Sequence, residues 1–537
     1  MLTKKDNWDN FLKDVLRKPI YWICVVFITM MSYAFDLSNR TVGIDDLSRR
    51  MWVGEGNEML AGTRWGKTLL IRFLSDCEYV PFIDKFLSIC FLIISAVLFL
   101  KIFYNFFKDS KHLLSLCILF SCLYLSYPLI NEIWNYNDSN VVFTGNAVIV
   151  SFVLLLLNKT NNLKNRNIFL SSILLSIAIS SYESSAFLYV TSVLSILLLE
   201  YIQENREKWF SRGLFYSIPL IVAFLLRYII GFSIIKIVNL SYHLNGGTGI
   251  DWHFGNAFIK QCINLIQNTF IGYFLKGLIY LPIGIFVISV FISFLSVFIL
   301  SIKRKSFLIL FLYILIFFSL FFQSIIQGSV MPYRTAQTLQ LFCPLAFTMT
   351  IYAISKLNKK TIISIAFIVS FYLCYRQSVF LNKSLALNNQ RSDNEAAIIR
   401  DLGIKLSQFD NSKTVYIVGG STNLGEFINR QNRPDASTFG GYLYRKIVIH
   451  FDLYDNLFKN IEIYQTNVNS VIDWIKIAFH NQKIFGDLFS YYGFDINSDN
   501  YITWSIHNRY VQEAVENGMK PLDVKDMGDY ILVFLGL

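Results

Sequence analysis

The chain has 537 residues, of which 54% are hydrophobic and 16% charged, with a formal net charge of +11 and a positive mean hydropathy. Soluble domains are about one quarter charged, so most of this chain is read as embedded in lipid. The excess Lys and Arg lie largely in short loops between apolar runs, the footprint of the positive-inside rule rather than of a phosphate-backbone groove, which excludes nucleic acid as a partner.

A span needs about 20 apolar residues to cross roughly 30 Å of hydrocarbon, and many segments qualify. The basic stretch 1–18 is placed in the cytoplasm. The apolar run Ile20 to Phe35 lacks a small-residue cleavage site and reads as a retained first span, 19–35. A long charged outer loop then fills 36–81. Span two covers 82–106 and returns to Lys108 and Lys111 inside, and span three covers 113–134. The polar turn 135–140 lies outside, span four covers 141–157, and Lys159, Lys164 and Arg166 are inside.

The run 168–200 is too long for one span, and Ser180-Ser181-Tyr182-Glu183-Ser184-Ser185 breaks it into two with Glu183 at the outer tip. Span seven runs from about 213 to 240, emerging into the Gly-rich outer loop at 245–249. Spans 276–300, 306–326, 339–355 and 361–380 follow, with Lys303-Arg304-Lys305 and Lys356, Lys359 and Lys360 inside. The expected fold is a polytopic α-helical membrane protein of about 11 transmembrane helices with its amino terminus inside.

Polar residues rise after Leu381, and β-like runs appear at 414–418, 461–464, 501–506 and 530–535, with helical spacing from Glu395 to Phe409. Residues 382–537 are therefore read as a small α/β domain outside, and 19–381 as the transmembrane domain. The eight cysteines include no C-x-x-C pair and support neither a metal nor a disulfide framework, a lone Cys77–Cys262 bridge staying open.

The chemistry-bearing segment is Ile44-Asp45-Asp46-Leu47-Ser48-Arg49-Arg50, just beyond span one. In an aqueous vestibule both carboxylates, with an ordinary pKa of about 3.9, are ionised and able to deprotonate an attacking sugar hydroxyl. Arg49 and Arg50, with Arg64, Lys67 and Arg72 further along the loop, supply cations for a phosphate. Asp45–Arg49 and Asp46–Arg50 are also i,i+4 pairs that serve equally well to stabilise an interfacial helix.

Glu183, at a helix break rather than at mid-bilayer depth, binds an acceptor, orients an arginine, or is a solvated turn residue. Arg227, inside an apolar run, reads either as a lipid-phosphate clamp or as the partner of an acid such as Glu183. Arg334 sits on an outer loop that brings it toward the same phosphate. Asp138, His243 and His253 are weaker candidates, and the two histidines lack a third metal ligand at suitable spacing. No cofactor is assigned, because one Asp-Asp pair without further ligands gives little support for a divalent ion.

Asp45-Asp46 with Arg49 after a retained first helix, Gly62-Thr63-Arg64-Trp65 downstream, the Ser181-Tyr182-Glu183 break and Arg334 before a late helix together resemble the serotype-converting O-antigen glucosyltransferases of the bacterial and phage Gtr system. The likeness covers about 20–400, with its most specific part at 44–72. It implies a GT-C-like enzyme of the bacterial inner membrane that transfers glucose from an undecaprenyl-phosphate donor to a lipid-linked or polymeric O-antigen acceptor on the periplasmic face. It also implies inversion at the anomeric carbon, with Asp45 or Asp46 as general base and Arg49, Arg64 and Arg334 on the donor. An O-antigen polymerase or ligase is the nearer rival, but its charge is expected in large mid-chain loops. A transporter or flippase is the more distant one, and it predicts internal repeats that this sequence lacks.

Overall fold

A computed structural model of the chain describes residues 6–39, 58–75, 80–128, 133–134, 137–158, 165–203, 209–240, 256–266, 285–329, 337–356, 360–419, 482–498 and 501–536. It divides along the chain, between Leu385 and Ala386, into two compact units.

The first unit is helical. A short helix α1 (Asp6–Phe11) and a wide turn lead into α2 (Pro19–Ser38). Two helices then lie within the long charged loop, α3 (Glu58–Ala61) and α4 (Trp65–Ser75). The bundle continues with α5 (Pro81–Phe107), α6 (Leu113–Leu125), α7 (Asn137–Asn158), α8 (Asn165–Ser181), α9 (Ser184–Gln203) and α10 (Trp209–Val238). After α11 (Asn256–Leu265) come α12 (Ile285–Arg304), α13 (Phe307–Ser319), α14 (Phe322–Gln327), α15 (Gln337–Ser355) and α16 (Lys360–Leu406). Among the described residues seven helices are long and apolar enough to cross a membrane, and three shorter apolar helices accompany them. The chain is a membrane protein.

Its packing follows from having lipid as solvent. Association of helices in lipid relies on close backbone approach and polar links rather than on apolar burial. Accordingly α8 and α9 bury Ser171, Ser172, Ser176, Ser180, Ser184, Ser185, Ser192 and Ser195. Hydroxyls bridge neighbours: Tyr21 to Ser121 at 2.9 Å, Ser32 to Ser378 at 2.9 Å, and Thr191 to Ser319 at 2.8 Å. Large apolar side chains point outward instead, among them Ile23 and Phe27 on α2 and Ile365 and Ile368 on α16. In water that pattern would be a liability; in hydrocarbon it is the lipid face.

Three span boundaries differ from the sequence expectation. Span 113–134 ends as α6 at Leu125, where Ser126 turns its hydroxyl back to the Cys122 carbonyl. Span 306–326 breaks at Leu320 and Phe321 into α13 and α14. The last span does not stop at 380: α16 runs on to Leu406, because no Gly or Pro interrupts 360–402. The polarity rise at Leu381 does not mark a helix end.

The second unit has a three-stranded sheet of order β1-β3-β2, formed by β1 (Thr414–Val418), β2 (Asp523–Asp526) and β3 (Tyr530–Phe534). Strand β1 runs parallel to β3, with Thr414 opposite Tyr530, and β2 is antiparallel to β3. Alternation sends Val415, Ile417, Ile531 and Val533 to one face, against Ile399 and Leu402 of α16 and Phe485 and Phe489 of α17 (Lys483–Tyr491). Val418, Leu532 and Phe534 face Tyr510 and Ala514 of α18 (Trp504–Glu516) on the other. The expected strand at 501–506 is corrected: the Thr503 side chain caps the Ile506 N–H, and a helix starts at Trp504. The run 461–464 lies outside the described residues.

Candidate functional site

The site forms where the short loop helices meet the break between α8 and α9. Helix α8 ends at Ser181 and α9 begins at Ser184, leaving Tyr182 and Glu183 as the turn. Glu183 accepts Arg227 Nη2 of α10 on Oε1 at 2.7 Å. It also receives Arg64 through Nε to Oε1 and Nη2 to Oε2, both at 3.4 Å. One carboxylate therefore bridges two guanidiniums brought from distant parts of the chain.

Local sequence explains how Arg64 gets there. After α3 the chain reverses through Thr63, which holds a left-handed φ of 59°, while the Arg64 N–H bonds the Met59 carbonyl at 2.8 Å. A β-branched residue in that region costs about 1–3 kcal/mol and persists only where its surroundings fix it. Here Thr63 is buried against Gly231 of α10, where an added Cβ would stand 2.9 Å from the Thr63 Cβ. Trp65 then donates its indole N–H to the Arg227 carbonyl at 3.2 Å. Gly66 sits so close to α8 that a Cβ would meet the Ile177 carbonyl oxygen at 2.3 Å. The Gly62-Thr63-Arg64-Trp65-Gly66 stretch thus docks one helix start against both arms of the site.

The electrostatics favour a fixed, ionised Glu183. Burial pushes its pKa up, but the Arg64 and Arg227 guanidiniums outweigh that and hold the carboxyl below its ordinary range. An acid so engaged is a poor proton acceptor near neutrality and a good anchor. Arg227 is nearly buried, and its Nε–H has no hydrogen-bond partner among the described residues. A buried N–H left without an acceptor costs about 1–3 kcal/mol, and an anionic oxygen would remove that cost. The side chain of Arg64 keeps 22% exposure, so its guanidinium is open at the surface of the site. Two arginines against one carboxylate leave a net positive charge.

The other sequence candidates are distributed as follows. Lys67 is buried on α4 and donates to Ser139 Oγ of α7 at 3.2 Å. Arg72 is exposed in the last turn of α4, where a cation suits the helix C-terminus. Asp45, Asp46, Arg49, Arg50, Arg334, His243 and His253 lie outside the described residues, as does the side chain of Asp138. Three residues beyond Arg334, Gln337 opens α15 and accepts the Ser184 hydroxyl at 3.3 Å, next to Glu183.

Sequence reasoning missed a second charged pair. Lys85 of α5 donates to Asp36 Oδ1 of α2 at 2.7 Å, with side-chain exposures of 1% and 3%. The signal was an ionisable residue near one end of each of two consecutive apolar runs, which in a membrane protein implies a partner.

The fold and site define the class: a polytopic membrane protein with an arginine–carboxylate cluster at one end of its helix bundle. The model of the glucosyl transferase GtrII family matches residues 34–351, more than half of the chain and all of this cluster, and the chain belongs to that family. It is a membrane glycosyltransferase. No curated protein and no solved structure matches the chain.

Proposed function

We propose that the protein transfers glucose from a polyprenyl-phosphate donor to O-antigen or a related surface polysaccharide, on the periplasmic side of the bacterial inner membrane. The observation that carries this reading is the Arg64–Glu183–Arg227 cluster, with one buried guanidinium N–H that has no partner among the described residues, in a chain of the glucosyl transferase family. A polyprenyl-phosphate sugar already has a phosphate leaving group, so transfer needs cations more than a general acid.

In this reading Glu183 is a positioning residue that holds the two guanidiniums, and Arg64 and Arg227 contact the donor phosphate. Arg334 joins them: three residues of chain reach at most about 10 Å, and Gln337 is anchored beside Glu183. Asp45 or Asp46 takes the proton of the acceptor hydroxyl as its oxygen attacks the anomeric carbon. The C–O bond to phosphate breaks on the opposite face, giving inversion and a polyprenyl phosphate. Arg49, Arg50, Lys67 and Arg72 line the approach. The unit from Ala386 onward lies in the periplasm and contributes to acceptor recognition.

The test is the mass of the surface polysaccharide repeat in cells with the chain, without it, and with Asp46→Asn. A hexose per repeat, present with wild type and lost in the variant, supports the proposal. Unchanged repeat mass with altered chain length would replace transfer with polymerisation.

A further inference from the structure

At the far end of α9 from Glu183 lies a cavity of about 320 Å³, lined by Ile102, Asn105 and Phe106 of α5, Asn158 of α7, and Ile196, Glu200 and Gln203 of α9. Residues 183 and 200 are about 25 Å apart along a helix, so this space is separate from the glycosyl-transfer site. Helix α5 ends there at Phe107 and brings the negative end of its dipole, and the described parts of α7 and α9 reach the same place at Asn158 and Gln203.

The carboxylate in the wall is half used. Glu200 Oε1 pairs with Arg212 Nη1 of α10 at 2.7 Å, and Arg212 Nη2 also reaches Asn158 Oδ1 at 3.4 Å. Glu200 Oε2 is buried and has no hydrogen-bond partner among the described residues. An ionised carboxylate only accepts, and so do helix C-terminal carbonyls. The occupant that satisfies them is therefore a cation with several N–H donors and a small body. The amides of Asn105 and Gln203 can serve a polar group attached to it, and Ile102, Phe106 and Ile196 form an apolar wall.

We infer that this cavity binds a primary ammonium group, carried by an ethanolamine lipid headgroup or by a small free amine. Three donors on one nitrogen suit Glu200 Oε2 and the surrounding oxygens. A quaternary choline nitrogen has none and leaves Oε2 unsatisfied.

The full chain, purified in nanodiscs of phosphatidylglycerol, is titrated separately with phosphatidylethanolamine, phosphatidylcholine and free ethanolamine, and retention is read by native mass spectrometry alongside the melting temperature. Wild type is expected to retain the ethanolamine lipid at least about tenfold more tightly than the choline lipid, as befits a charge-assisted hydrogen bond. Glu200→Gln should abolish that preference. Asn105→Leu, which leaves the Glu200–Arg212 pair intact, should weaken it even if Glu200→Gln folds poorly. Binding of free ethanolamine without lipid preference, lost in the same variants, would assign the site to a soluble amine. Equal retention of both lipids with no ethanolamine binding, or a preference untouched by both variants, overturns the inference.

Discussion

At the scale of single residues, Glu183 carries the most consequence, because two cations depend on it. Glu183→Gln removes the charge but keeps the shape, leaving Arg227 buried beside a neutral amide. Breaking a buried pair from one side costs about 3–5 kcal/mol, although the 22% exposure of Glu183 places this site at the lower end. Glucosyl transfer by the variant should fall at least about a hundredfold, on the scale reported for removing one preorganised charge-stabilising contact. A rate within threefold of wild type would remove Glu183 from the site. The pH dependence has a definite sign. Folding lowers the pKa of Glu183, so the unfolded chain binds this proton more tightly. Its contribution is complete above the ordinary value of 4.5 and is lost as pH falls through the lower folded value. Melting temperature should therefore decline more steeply below about pH 4.5 in wild type than in Glu183→Gln. A second residue-scale expectation concerns Lys85. Lys85→Met strands Asp36 in a buried position and should destabilise by about 3–5 kcal/mol, whereas Asp36→Asn with Lys85→Met should recover much of that loss. Additive losses in thermal melts of the single and double variants would argue against the pairing.

At the scale of elements, the contact of α4 with α8 is the tightest constraint near the site. Gly66→Ala puts a methyl 2.3 Å from the Ile177 carbonyl oxygen, a backbone atom that cannot rotate away, so α4 must shift and carry Arg64 with it. Gly145→Ala on α7 meets only the Phe91 ring at 3.6 Å, and there the gain in helix propensity, about 0.5–1 kcal/mol, should prevail. Gly66→Ala should lose both thermal stability and glucosyl transfer, whereas Gly145→Ala should melt no lower than wild type and keep its transfer. The sequence made the apolar helices legible because their length and composition are set by the bilayer. It also marked Glu183, since a carboxylate interrupting serine-rich apolar helices needs a reason. Its partners were harder. Arg227 was readable as a buried cation with two possible roles, but nothing in the order of residues says that Arg64 shares its carboxylate. That depends on the left-handed turn at Thr63 and the close approach at Gly231. The same limit explains α18: Tyr501-Ile502-Thr503-Trp504 favours a strand by composition, and the cap at Thr503 with burial of His507, Tyr510 and Ala514 on one side makes a helix. Strands β1 and β3 were readable because both are short apolar runs, whereas β2, Asp-Val-Lys-Asp, has one apolar residue and no pattern.

At the scale of the whole molecule, the question is which end of the bundle faces the cytoplasm, since the proposed chemistry needs the Glu183 end outside. The opposite end gathers the cations. Phe107 of α5 packs on Tyr352 of α15 at 5.9 Å, Tyr201 of α9 bonds Ser306 at 2.9 Å, and Arg304 caps the Ile202 carbonyl at 2.5 Å. These contacts put Lys108, Arg212, Lys303, Arg304 and Lys356 at one end, with Glu200 as their acidic neighbour. At the other end Arg64 and Arg227 are paired with Glu183 and Lys85 with Asp36, so much of the positive charge there is neutralised. Short loops rich in Lys and Arg stay in the cytoplasm during insertion, which supports the proposed placement of the Glu183 end and of the tail after Ala386 on the periplasmic side. Both ends of this argument are open to chemical labelling. Asp109 is exposed in the turn between α5 and α6, and Asp410 is exposed in the second unit. A membrane-impermeant maleimide added to intact spheroplasts should label Asp410→Cys, above the background of the native cysteines, and should reach Asp109→Cys only after lysis. Labelling of Asp109→Cys in intact cells with protection of Asp410→Cys would invert the molecule. It would place the Arg64–Glu183–Arg227 cluster in the cytoplasm, where a nucleotide sugar, not a polyprenyl-phosphate sugar, becomes the donor to test.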